Sequence, residues 1–102
     1  MNREFVVLPE AEVELLEATR WYEAQQPGLG AQFLGATDSA VAQIAKDPLL
    51  YPVWASDARY RRKIIGRFPY SVFYEIRSTN IEIVAFSHSR RNPGYWLTRG
   101  RP

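Results

Sequence analysis

The chain has 102 residues, 13 Lys+Arg against 11 Asp+Glu, a formal charge of +2, one His and no Cys. That length predicts a single domain over 1–102, and 46% hydrophobic with 24% charged residues excludes a disordered or collagen-like chain. Without cysteine there are no disulfides, no thiolate chemistry and no Cys-ligated zinc or iron–sulfur site; without an apolar leader or an 18-residue apolar run, a soluble cytoplasmic protein with no membrane contact is expected.

Residues 3–8, REFVVL, are short, apolar and β-branched, and Pro9 ends them. A strand followed by a helix start is predicted, because proline in a first helical turn loses no needed N–H. From about Glu10 to Gln26, Ala11, Leu15, Ala18 and Tyr22 recur at helical spacing, flanked by Leu16 and Trp21. Glu10, Glu12 and Glu14 fall in the first turns, where the helix dipole favours negative charge, and they are read as structural. The turn Pro27-Gly28-Leu29-Gly30 leads into a second helical repeat, Phe33, Leu34, Thr37, Val41, Ile44 and Ala45, which ends before Asp47-Pro48. The two helices form a hairpin.

After the Pro-rich connection Pro48–Pro52, the period becomes two. Arg59–Ile65, Pro69–Ile76 and Ile81–His88 are predicted as three strands of an antiparallel meander joined by short loops. Tyr70, Val72, Tyr74 and Ile76, with Ile81, Ile83 and Ala85, are the more apolar alternates and are assigned to the helix side. Ser71, Phe73, Glu75, Glu82, Val84, Phe86 and His88 then form the open face, apolar enough for a partner surface or for cover by a terminal segment or a second copy. The tail, Ser89 to Pro102, is basic and aromatic; it either grips a polyanion or folds back and buries Tyr95 and Trp96.

Charge follows this division. Residues 1–57 hold three cations against nine acids, a formal −6, and residues 58–102 hold ten against two, +8. Nine of those ten cations are arginine, the residue suited to bidentate phosphate recognition. The basic half therefore suits a polyanion, or solvates the exposed face of a sheet. One His and no Cys leave no metal-ligand spacing, and the glycines of the helix–helix turn do not form a phosphate loop, so no cofactor is implied. Metal-free phosphodiester chemistry remains, in which a base takes a ribose hydroxyl proton and cations stabilise the developing phosphate charge. His88, followed by Arg90 and Arg91, is the one candidate base of neutral pKa class; a structural histidine at a strand end is the alternative.

The order strand, helical hairpin, basic meander, with the strings RWYEAQQPGLGAQF, RRKIIGRFPYSVFYEI and VAFSHSRRNPGYW, resembles the RelE/ParE superfamily of bacterial toxins over nearly the whole chain. The resemblance implies an α+β, RelE-like β-α-α-β-β-β fold, with the N-terminal strand and helical hairpin packed on one face of an antiparallel sheet. It further implies the toxin of a type II toxin–antitoxin pair, often called a plasmid stabilisation protein, neutralised by a cognate antitoxin as a hetero-oligomer, with a homodimer also open. ParE-like members inhibit DNA gyrase, which is the leading expectation. RelE-like members are metal-free endoribonucleases that cut mRNA on the ribosome. A degenerate toxin that only binds antitoxin is the third option. In the ribonuclease reading Arg62, His88 and Arg91 are catalytic, and Arg61, Lys63, Arg67, Arg90, Tyr95 and Arg99 contact target or nucleic acid. Ser71 stands where that branch usually has arginine, and Ile64 near an expected lysine, so the ribonuclease set is incomplete.

Overall fold

The computed structural model describes residues 4–99, so Arg3 and Arg101 of the predicted strand and tail lie outside the described residues. The elements are β1 (Glu4–Val7), α1 (Pro9–Gln25), α2 (Leu29–Lys46), β2 (Val53–Trp54), β3 (Asp57–Ile64), β4 (Tyr70–Ile76) and β5 (Asn80–His88). They form the α+β arrangement expected, two helices on a five-stranded sheet of order β1-β5-β4-β3-β2. Two details differ from the expectation. The hairpin returns the chain so that β1 lies parallel to β5, which makes the sheet mixed, and the two-residue β2 adds an edge strand beside β3.

The hairpin turn explains its own sequence. Gly28 caps α2 at φ +90, a conformation that side chains disfavour, and it has no side chain to cap with. Glu23, from the last turns of α1, supplies the missing acceptor: its carboxylate takes the N–H of Gly28 at 3.0 Å and of Gly30 at 3.0 Å. A carboxylate at a helix N-terminus also answers the dipole. A Cβ on Gly30 would stand 2.9 Å from the Thr19 carbonyl oxygen, so glycine sets the close approach of the two helices.

The sheet has a core on each side. Towards the helices, Tyr22, Phe33, Phe68 and Tyr70 pack edge to face with ring centroids 5.0–6.2 Å apart. On the other side Trp96, only 1% exposed, packs on Tyr60 and Phe73, both at 4.7 Å, and on Trp54 at 5.1 Å. The tail therefore folds back over the open face. Gly94, at φ +82, allows the passage, because a Cβ there would stand 2.9 Å from the Trp54 ring.

The face assignment of β5 needs correction. Phe73 pairs with Ala85 and Tyr74 with Ile83, so Val84 is an extra residue, a β-bulge that flips every side chain beyond it. Ile81 and Ile83 face the helices as expected. Past the bulge, Phe86 pairs with Val72 and His88 with Tyr70, which puts both on the helix side, and Ala85 and Ser87 move to the open face with Phe73 and Ser71. No helix among the described residues is long and apolar enough to cross a membrane.

Candidate functional site

Two cavities meet at the end of β5, one on each side of the sheet, and Arg91 and His88 border both. On the open side, a cavity of about 140 Å³ is floored by Ser71 and Ser87, which sit directly opposite each other on β4 and β5. Arg62 rises beside them from β3, where strand alternation places it with Phe73 on the open face. Ser89, Arg91 and Pro93 close the other rim, and Trp54 and Trp96 form the wall. The polar side chains of Arg62, Arg91, Ser71, Ser87 and Ser89 all can donate hydrogen bonds. Among the described residues, no carboxylate borders the cavity.

On the helix side, a larger groove of about 300 Å³ runs between α1 and β5, walled by Trp21, Tyr22, Tyr70, Phe86 and His88 and edged by Glu14 and Glu17. The His88 ring stands edge-on to Tyr70 at 5.0 Å, and its Nδ1 accepts the Arg90 backbone N–H at 3.0 Å. Acceptance at Nδ1 places the proton of the neutral ring on Nε2. The nitrogen that would act as a base is therefore already bonded within its own turn.

Between the two cavities Glu14 ties α1 to the tail. Its carboxylate accepts Arg99 Nη1 at 2.7 Å and Nη2 at 3.1 Å, the Tyr95 hydroxyl, and the Phe86 N–H at 3.1 Å, with Arg91 Nη1 at 3.6 Å. The Phe86 amide lies beyond the last contact of β1, where Leu8 donates to Ile83, so the side chain does what a longer β1 would have done. Burial, then the Glu14 hydrogen bond, pushes the Tyr95 phenol above its ordinary value. Burial alone would lower Arg99, but the hydrogen bond and charge of Glu14 carry it above the usual guanidinium value.

The predicted site residues thus separate into groups. Arg62 and Arg91 share the open-face cavity, with the strand end at His88 beside them, while the His88 ring packs on the other side. Tyr95 and Arg99 are engaged by Glu14, and Arg91 lies over the Tyr95 ring at 3.7 Å. Arg61 faces the helix side and donates to the Tyr51 carbonyl at 2.6 Å and the Leu49 carbonyl at 3.2 Å, pinning the Pro-rich connection. Lys63 lies over the Tyr51 ring at 4.8 Å, and Arg67 bonds Gln32 of α2. Arg90 is exposed.

The model of the ParE toxin of the type II toxin-antitoxin system, parDE, matches residues 5–93. The chain belongs to this family. Among solved structures, it is similar to a chain of the chromosomal ParDE TA system from P. aeruginosa, with a TM-score of 0.75 and 12% identity over 84% of this chain and 95% of that one, a likeness of fold. No curated protein matches the sequence.

In this ParE-family chain the residue that sequence reading passes over is Glu14. Its place in the first turns of α1 accounts for its charge locally, and its partners lie 72 to 85 residues away. Only the unusual persistence of acids along α1, past the first turn, hinted at another use.

Proposed function

We propose that this ParE-family chain is a growth-inhibiting toxin, neutralised by a cognate antitoxin, that acts on DNA gyrase by protein–protein binding. The observation that carries this reading is the composition of the open-face cavity: hydrogen-bond donors and cations, with His88 at its edge as the one candidate base among the described lining residues, its ring packed on Tyr70 and its Nδ1 bonded. Ribonuclease action needs a base near the attacking hydroxyl. The His88 ring packs against Tyr70 on the other side, with Nδ1 held by Arg90. Arg62 and Arg91 without a base bind an anion but do not activate a nucleophile.

Induced expression with radiolabelled precursors tests it. DNA synthesis should fail first, and the purified chain should inhibit supercoiling by gyrase in vitro, with antitoxin reversing both. Early collapse of protein synthesis with cut mRNA on the ribosome would instead establish the RelE-like ribonuclease, for which Arg62 and Arg91 would then be the functional cations. Unchanged growth and synthesis would leave a chain that only binds antitoxin.

A further inference from the structure

The open-face cavity has a charge pattern that specifies its occupant more narrowly than "a partner". Arg62 is exposed, and Arg91, on the opposite rim, is held by stacking on Tyr95 at 3.7 Å and by Glu14 at 3.6 Å from Nη1, with 53% of its side chain still exposed. Ser71, Ser87 and Ser89 line the same cavity, the Ser87 hydroxyl donating to the His88 carbonyl at 3.4 Å. Two arginines on a cavity lined by serines, with no carboxylate among its described lining residues, make a seat for one anionic group. At about 140 Å³ the cavity falls below the roughly 300–1,000 Å³ of small-molecule sites and holds a side-chain-sized group.

Three features select a carboxylate of a protein over the phosphates of a nucleic acid. A single strand is gripped by a continuous cationic groove and by open aromatic faces on which bases stack. Here Arg61 and Lys63 alternate with Arg62 onto the other side of the sheet, which breaks the groove. Three aromatic rings of the open face are closed to bases, since Tyr60 and Phe73 are buried against Trp96, itself buried, which leaves the half-buried Trp54 at the cavity wall. And the far end of the same face is acidic: Glu75 and Glu82 sit opposite each other, bridged by Arg77 at 3.6 and 3.3 Å. A face that is basic at one end and acidic at the other repels a polyanion and complements a segment of mixed charge.

We infer that this cavity receives the side-chain carboxylate of an Asp or Glu from a protein partner, clamped by Arg62 and Arg91 with Ser71 and Ser89 completing the hydrogen bonds. This rests on the reading that the chain works by protein binding, and the test is independent of toxicity.

The full chain, labelled with ¹⁵N, is titrated with N-acetyl-glutamyl amide, with the uncharged N-acetyl-glutaminyl amide, and with an eight-residue oligouridylate. Saturable shifts of the Ser71 and Ser87 amides and the Arg62 Nε–H are expected with the glutamyl compound, with at least fivefold weaker response to the glutaminyl one. Arg62→Gln and Arg91→Gln should each weaken the glutamyl response fivefold or more while the amide spectrum outside the cavity is unchanged. Equal response to both amides overturns the proposal. So does tighter binding of oligouridylate that is lost in the same variants, which would assign the seat to phosphate. Gyrase inhibition with no carboxylate response would retain the function and remove this site; a carboxylate response without gyrase inhibition would do the reverse.

Discussion

The two cavities at the end of β5 share a strand end and a rim residue, Arg91, yet their chemistry is opposite. The helix-side groove is aromatic and edged by acids, and the open-face cavity is floored by serines and edged by arginines. A single extra residue produces the contrast. Without the bulge at Val84, strand alternation would send Phe86 and His88 to the open face and Ala85 and Ser87 to the helices. The open face would then hold a histidine beside Arg62; with the bulge it holds a serine. The difference teaches that the register of one strand, more than the inventory of basic residues, decides which side of the sheet receives the histidine ring.

If the two sides are separate structures joined through Glu14 and the tail, substitutions should divide them accordingly. The largest effect is expected for Trp96→Ala, which removes the centre of the open-face cluster and should cost about 3–5 kcal/mol of stability by chemical denaturation. The ring-current-shifted His88 protons should keep their positions, because the Tyr70 contact lies on the other side of the sheet. Loss of those shifts would mean that the two sides are one cooperative core. Glu14→Ala should come next, at about 2–4 kcal/mol, since it strips Arg99, whose side chain is 15% exposed, of its partner and leaves the Phe86 amide bare. Unlike Trp96→Ala it should disturb both cavities, which amide exchange of Phe86 and of the Trp96 indole would read together.

Tyr74→Phe is a smaller test confined to the helix side, where the hydroxyl donates to the Pro48 carbonyl at 2.7 Å; its loss should cost about 1 kcal/mol. Burial pushes this phenol up to about 12 from 10.0. A raised folded value means that its contribution is fully present below pH 10 and is lost as pH rises from there through about 12. The wild-type urea midpoint should fall over that window, and the fall should be shallower in Tyr74→Phe. Smallest of all is Arg62→Gln, which should change stability by less than about 0.5 kcal/mol, because its side chain is exposed on the sheet surface. A large loss of stability there would place Arg62 in the structural set with Arg61 and Arg99.

Local pattern sufficed for much of this molecule. The period of 3.6 placed α1 and α2, and Ala11, Ala18, Tyr22, Phe33 and Ile44 are buried as that period requires. The period of two placed β3, β4 and β5 within a residue or two, and the charge split between the halves follows from the residues themselves. Leu16 and Trp21, which flank the apolar stripe of α1, are instead 54% and 59% exposed. The strings of the toxin superfamily carried the fold class, since they mark turns and packing positions fixed by nearby residues.

What tertiary structure decided are the relations between distant segments. A bulge adds one residue to a strand without any composition signal, so the switch of His88 from the open face to the helix side had to be seen. The parallel pairing of β1 with β5 joins segments more than seventy positions apart, and so does the gathering of Tyr95, Arg99 and the Phe86 amide on Glu14. Sequence determined which arginines the basic half contains. Packing determined which of them are held by the protein's own carbonyls and carboxylates, as Arg61 and Arg99 are, and left Arg62 beside paired serines with its guanidinium exposed. The physical reason is that periodicity records only which side of its own element a residue favours, whereas a site is made where elements from distant parts of the chain converge.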